Sequence, residues 1–234
     1  MGSSIFPIMS PGITAGKTAS HRVVFRQRDE SYLANGKTID GSKSRDPSNT
    51  SDVTVLQSGL LMGKITSGGK YAPSILGLTS GALAAGATSI TTATAAVLTE
   101  LVRRIGATGT FTLTGPPSAN GVVNSEVVTY SAATGTTITC TAILGNYISG
   151  SFIQPTDGSQ QPLSFIDDLV LSGYQVVDNN GANVSSVDWP RVPISGTVHS
   201  ANLINWPTDT SLQQWIISRL NDIAGRQFNF DHVL

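Results

Sequence analysis

The chain has 234 residues, of which 12% are charged, about half the share of an ordinary globular protein. Fourteen Lys and Arg face fifteen Asp and Glu, and 39% of the residues are hydrophobic. That hydrophobic content excludes a wholly disordered chain, and the balanced charge excludes a general nucleic-acid binder, which needs a basic field to collect phosphate.

Residues 1–52 carry seven of the fourteen basic residues and five acids, with few large apolar side chains. The stretch 21–26 is the one strand candidate in this block. A short strand there either adds to a partner's sheet edge or packs on the protein's own body, and the sequence leaves both open. The stretch 41–52 reads as a linker or arm without a core. No secretory signal is visible at the start, and the myristoylation pattern fails at Phe6. No run approaches the ~20 apolar residues of a membrane span. Gly12, Gly16, Lys17 and Thr18 approximate a phosphate-binding loop. The spacing is one residue short, and no strand or helix flanks it.

From Val53 the texture is short strands and glycine turns. Strands are predicted over 53–56 and 60–66, separated by a turn at Gly59 and followed by one at Gly68 and Gly69. The block 77–155 differs: ten of the 35 residues 107–141 are threonine, and only Glu100, Arg103, Arg104 and Glu126 are charged between Tyr71 and Phe152. A helix is predicted over 94–105, because Val97, Leu98, Leu101, Val102 and Ile105 share one face. Arg103 and Arg104 suit the dipole of its last turn, and Gly106 ends it. Strands follow near 108–113, 122–130 and 136–144. The single cysteine, Cys140, excludes an intramolecular disulfide and reads as a buried structural thiol.

In the last block, strands are predicted over 163–171 and 174–177, with a hairpin tip at 178–181. Residues 189–194 are extended, since neither Pro190 nor Pro193 suits a helix or a central strand. A final helix follows Pro207, with Thr208, Asp209 and Thr210 as a source of N-caps, Gln213 three residues past Thr210 as in a capping box, and Gly225 as its stop. Its stripe of Leu212, Trp215, Ile216, Leu220 and Ile223 is a core or trimer contact.

Residues suited to chemistry are sparse. His21, His199 and His232 are too scattered for a metal spacing. There is no Gly-x-Ser-x-Gly elbow. Asp167 and Asp168 are strand neighbours facing opposite sides, which defeats a shared acid/base site. Trp189 and Trp206 read as packing residues. The expectation is a protein that is not an enzyme and carries no catalytic, metal or cofactor site.

The run 53–71 resembles the opening of tailed-phage head decoration (cement) proteins of the lambda D type. It has an apolar strand, a turn at Gly59, a second strand through Gly63, Lys64 and Thr66, and a turn into Lys70 and Tyr71. Asp157 and Gly158, followed by Ser159, Gln160 and Pro162, are similar to the family's next motif, and 192–198 with 202–203 to its later segments. The fold expected is mainly β with a few helices (α+β): a small β-rich core interrupted by an inserted Thr-rich β/α subdomain, with a C-terminal helix. The divisions are an arm, 1–52; a discontinuous core, 53–76 plus 156–234; and an inserted projecting subdomain, 77–155.

The resemblance implies a homotrimer on the outer surface of the virion capsid at three-fold positions, holding neighbouring major capsid protein subunits and stabilising the expanded head. In it, the N-terminal segment adds a strand to the capsid protein, which nominates Arg22, Val23, Val24, Phe25, Arg26 and Arg28 as capsid contacts. No nucleic-acid or membrane partner is implied. The alternative is an adhesin or fibre-like protein that binds host-surface glycans through 77–155.

Overall fold

The computed structural model describes residues 23–26, 29–117, 123–167 and 174–231. Among these residues the fold is mainly β with two α-helices, Ala95–Ile105 (α1) and Thr210–Asn221 (α2). No helix among the described residues is long and apolar enough to cross a membrane.

Residues 77–155 build one six-stranded sheet and α1. The strand order is Gly77–Leu78, Phe152–Gln154, Gly109–Pro117, Val123–Thr134, Thr137–Cys140 and Ser89–Thr91, each pairing antiparallel. The two outer strands then meet. Thr79 bridges Thr92, and the Ser80 N–H donates to the Thr91 carbonyl at 2.8 Å. The sheet thus curls until its edges join, as a small barrel. Alternation explains the filling: Phe111 and Leu113 turn inward between Thr110, Thr112 and Thr114, and pack with Ile90, Val128, Tyr130 and Ile138. The α1 residues Val97, Leu98 and Leu101 join the same cluster, as does Cys140. Burial raises the Cys140 thiol pKa, as suits a packing residue. Gly106 closes α1 by donating its N–H to the Val102 carbonyl at 2.8 Å. The strand expected over 136–144 ends at Cys140, and the one expected over 108–113 continues to Pro117.

The remaining described residues form a body of three sheets. The largest has the order Ser164–Phe165, Leu61–Lys64, Tyr71–Pro73, Lys37–Ile39 and Val187–Trp189. A second pairs Ser31–Tyr32, Pro193–Val198 and Gln227–Phe230, the last two in parallel. Val55–Leu56 with Tyr174–Gln175 make the third. Leu212, Ile216 and Leu220 of α2 are fully buried with Phe165, Val198 and Phe228, so these three belong to the chain's own core. Trp215 is half-buried and lies 5.8 Å from Phe152, between the body and the barrel.

Four expectations are corrected. Residues 29–52 are built into the body rather than forming a coreless arm: the strand Lys37–Ile39 lies inside the five-stranded sheet, and Ser44, Asp46 and Asn49 are buried. Asp46 makes this possible by accepting the N–H groups of Ser48 and Gln57, each at 3.0 Å. Asp46 and Asn49, satisfied by local backbone groups, stand where a core usually needs large apolar residues. Pro193 begins a central strand, where a first residue needs no ladder N–H. Of the three candidate caps of α2, Asp209 is the cap, accepting the N–H groups of Ser211 and Leu212, each at 3.0 Å, so the capping box at Thr210 and Gln213 does not form. The helix stops at Asn221, short of Gly225, and the strand Gln227–Phe230 follows.

Candidate functional site

The residues that carry the family resemblance come together. Met62 pairs with Ser164 and Leu61 with Phe165, and the Thr66 N–H donates to the Asp157 carbonyl at 2.9 Å. Gly63 leaves room for a crossing chain, since a β-carbon there would overlap the carbonyl oxygen of Ser159. Gly158 takes a left-handed φ of 103° against Thr66, where a side chain would be both strained and blocked. Gly59 is held by a 2.8 Å bond to the Ile166 carbonyl. Tyr71 is buried edge-on to Trp189, their ring centroids 5.6 Å apart.

Asp157 is also where the barrel is fastened. Arg104 at the end of α1 lies 3.2 Å from its carboxylate, and donates to Ser159 Oγ at 2.6 Å and the Pro73 carbonyl at 2.7 Å. Burial by itself would raise the Asp157 pKa. The Arg104 charge and the hydrogen bonds from Ser159 outweigh it and hold the carboxyl below its ordinary value. Arg103 forms a fork with Glu100, both bonds 2.6 Å, and reaches the Ser42 carbonyl at 2.5 Å. Sequence reasoning gives these arginines only a dipole role. Nothing in the sequence signals their reach into the body.

The proposed capsid contacts divide. Val24 is 0% and Phe25 4% exposed; Phe25 bridges Val198 and packs 5.5 Å from Phe165. These two are therefore core residues on the protein's own sheet rather than an open docking strand. Arg26 is committed to Asp231 at 3.1 Å. Val23 is 52% exposed at the rim. Arg22 and Arg28 lie outside the described residues, as do the phosphate-loop lookalike, His21, His232 and Asp168.

Asp167 is buried, and it accepts from the Tyr32 hydroxyl with Arg191 3.5 Å away. The Arg191 guanidinium sits 4.3 Å from the centre of the Tyr32 ring. This is a fixed internal ion pair that joins three segments of the body. Among the described residues, no group of three or more His, Cys, Asp or Glu is placed to hold a metal ion.

A cleft of about 830 Å³ lies at one end of the five-stranded sheet. Its walls are the loop 35–38, the turn 68–70 and the segment 186–190. The strands starting at Lys37 and Tyr71 run parallel, and the strand ending at Trp189 runs against Lys37. That geometry brings Lys37 and Lys70 to the same end, with Lys64 alongside Gly69. Comparison with protein-family models, curated proteins and solved structures gives no match to this chain.

Proposed function

We propose that the chain is a structural virion protein: a head decoration protein that binds the outer capsid surface as a homotrimer at three-fold positions and stabilises the expanded head. The observation that carries this reading is the meeting of the resemblance motifs on both sides of the barrel, with Leu61–Lys64 pairing to Ser164–Phe165 and Gly63 seated on Ser159. The barrel enters and leaves the body through neighbouring strands, Leu76 donating to the Ile153 carbonyl at 2.8 Å. An insertion with adjacent ends costs the surrounding core little, because loop-closure entropy rises slowly with length.

In this reading the work is binding, divided among several copies so that modest contacts add through multivalency. Val24 and Phe25 anchor the N-terminal segment to the body, and residues before Val23, including Arg22, supply the capsid contact. Mixing the purified chain with expanded heads, then imaging by electron microscopy, tests this. Density at three-fold positions is the expected result; a chain that leaves expanded heads bare, or lies on the tail, overturns it.

A second reading is glycan adhesion through the barrel. In its favour, Ser89 faces Thr139 and Thr91 faces Thr137 on exposed strand positions, a run of paired hydroxyls. Against it, no aromatic side chain among the described residues is fully exposed to stack on a sugar ring. The barrel is the better described as a spacer, and a glycan array on the whole chain that returns specific binding would reverse that ranking.

A further inference from the structure

We infer that the cleft at the end of the five-stranded sheet is a docking site for an acidic, extended peptide segment of the protein on which the chain sits. The inference rests on the decoration reading for the partner's identity, and on the cleft alone for its chemistry. Four lysines lie among the described residues. Lys43 has a carboxylate, Asp157, at 3.8 Å. Lys37, Lys64 and Lys70 pair with no carboxylate among the described residues, and all three gather around this one cleft. Five of the seven described arginines, Arg26, Arg103, Arg104, Arg191 and Arg219, each meet a carboxylate, and Arg45 is spent on the Gly41 and Ser44 carbonyls. In a chain with net charge −1, three lysines without carboxylates at one cleft make a local positive field rather than a general one.

The shape narrows the ligand further. Lys70 spends one N–H on the Ser185 carbonyl at 2.7 Å, which fixes its ammonium in the wall with two donors to spare. Gly68 and Gly69 both take left-handed φ and carry no side chain, so a partner backbone can come close at the turn. Asp188 stands opposite Thr38 on the neighbouring strand, and its carboxylate makes no hydrogen bond or ion pair with any described residue. A polyphosphate offers such a carboxylate only repulsion, and a sulfated glycan sets its sulfates against it. A peptide offers both parts: side-chain carboxylates for the lysines and backbone N–H groups for Asp188.

The test uses the whole chain, ¹⁵N-labelled, titrated with poly-L-glutamate, with poly-L-glutamine and heparin as comparison probes. Poly-L-glutamate is expected to shift amides in 36–38, 68–70 and 186–190, and poly-L-glutamine to leave them in place. K37S/K64S/K70S should weaken the response at least tenfold, as should K37E/K64E, which keeps the Lys70 bond to Ser185. No shift at those amides, equal response in both variants, or heparin bound in preference overturns the inference. The same variants are then mixed with expanded heads. If the wild type decorates heads and both variants decorate them equally well, the cleft is not the docking site, although the decoration reading stands. If the wild type leaves heads bare while poly-L-glutamate still moves the cleft amides, the decoration reading falls and the acidic-peptide site remains.

Discussion

Arg104 of the barrel and Asp157 of the body form a bridge that is almost entirely out of water on the arginine side, 3.2 Å apart with the Arg104 side chain 1% exposed. The pair joins barrel and body beside an apolar contact in which Phe152, Leu78 and Trp215 share one cluster. Without Arg104, Asp157 keeps Lys43 at 3.8 Å and the hydrogen bonds from Ser159, but the bonds from Arg104 to Ser159 and Pro73 are lost. Arg104→Ala should therefore destabilise the chain by about 1–3 kcal/mol, read as a lower urea midpoint. A change of only a few tenths would mean that the barrel is held by other contacts.

Asp157 should also give the stability an acid limb. Its folded pKa lies below the ordinary 3.8, so its contribution is full above that value and is lost as pH falls through the lowered folded value. The stability gap between wild type and Asp157→Asn is thus expected to be constant near neutrality and to close in the acid range below pH 3.8. Urea titrations at a series of pH values measure it. A gap that stays open at the lowest pH would assign the stabilisation to packing instead of charge.

Phe25 separates anchoring from docking. Its ring packs among Tyr32, Phe165 and Gly196, where truncation leaves a cavity. Phe25→Ala should cost about 3–5 kcal/mol and lower the melting temperature. An unchanged melting temperature would mean that the ring contributes little to the folded body.

Asn221 guards a sheet edge. Its side-chain amide donates to the Phe228 carbonyl at 3.1 Å, and its carbonyl accepts the Phe228 N–H at 2.7 Å, filling the place of a further strand. Asn221→Ala should cost about 1–3 kcal/mol and raise self-association by freeing that edge. Light scattering of the variant at matched concentration checks the second effect, and a monodisperse, unaltered species would count against it.

The barrel has a core of its own, from Leu76 to Ile153. A fragment spanning 76–154 is expected to fold alone with a cooperative thermal transition, whereas the body without it exposes Trp215 and loses the covering of α2. Circular dichroism of the fragment decides this; a non-cooperative melt would make the barrel dependent on the body.

Much of this was legible from residue pattern. The spacing of Val97, Leu98, Leu101 and Ile105 locates α1 to within a residue, and alternation around Phe111 and Leu113 locates a barrel strand. The hairpin tip at 178–181 follows from its Asp, Asn and Gly residues, and Val177 does bridge Asn183 across it. The mainly β fold with few helices is what the composition suggests. What stayed hidden depends on distance in the chain. Arg104 looks like a helix-end cation until Asp157 is brought to it. The burial of Asp46 is invisible because its partners are backbone N–H groups, and those have no sequence signature. The strand Gln227–Phe230 is four residues with one buried ring, and it exists because Pro193–Val198 offers it a parallel partner. The cleft lysines are spread over 34 positions, and only the parallel run of two strands gathers them.

The bridge between Thr79 and Thr92 has a consequence for crowding. A sheet that ends in two bare strands invites its neighbours to continue it, and the risk grows with every copy held nearby. Once Ser80 has taken the Thr91 carbonyl, the barrel offers a neighbour no free ladder to extend along that seam. Two copies brought together at that seam have no open strand edge there to exchange or to extend into a fibre.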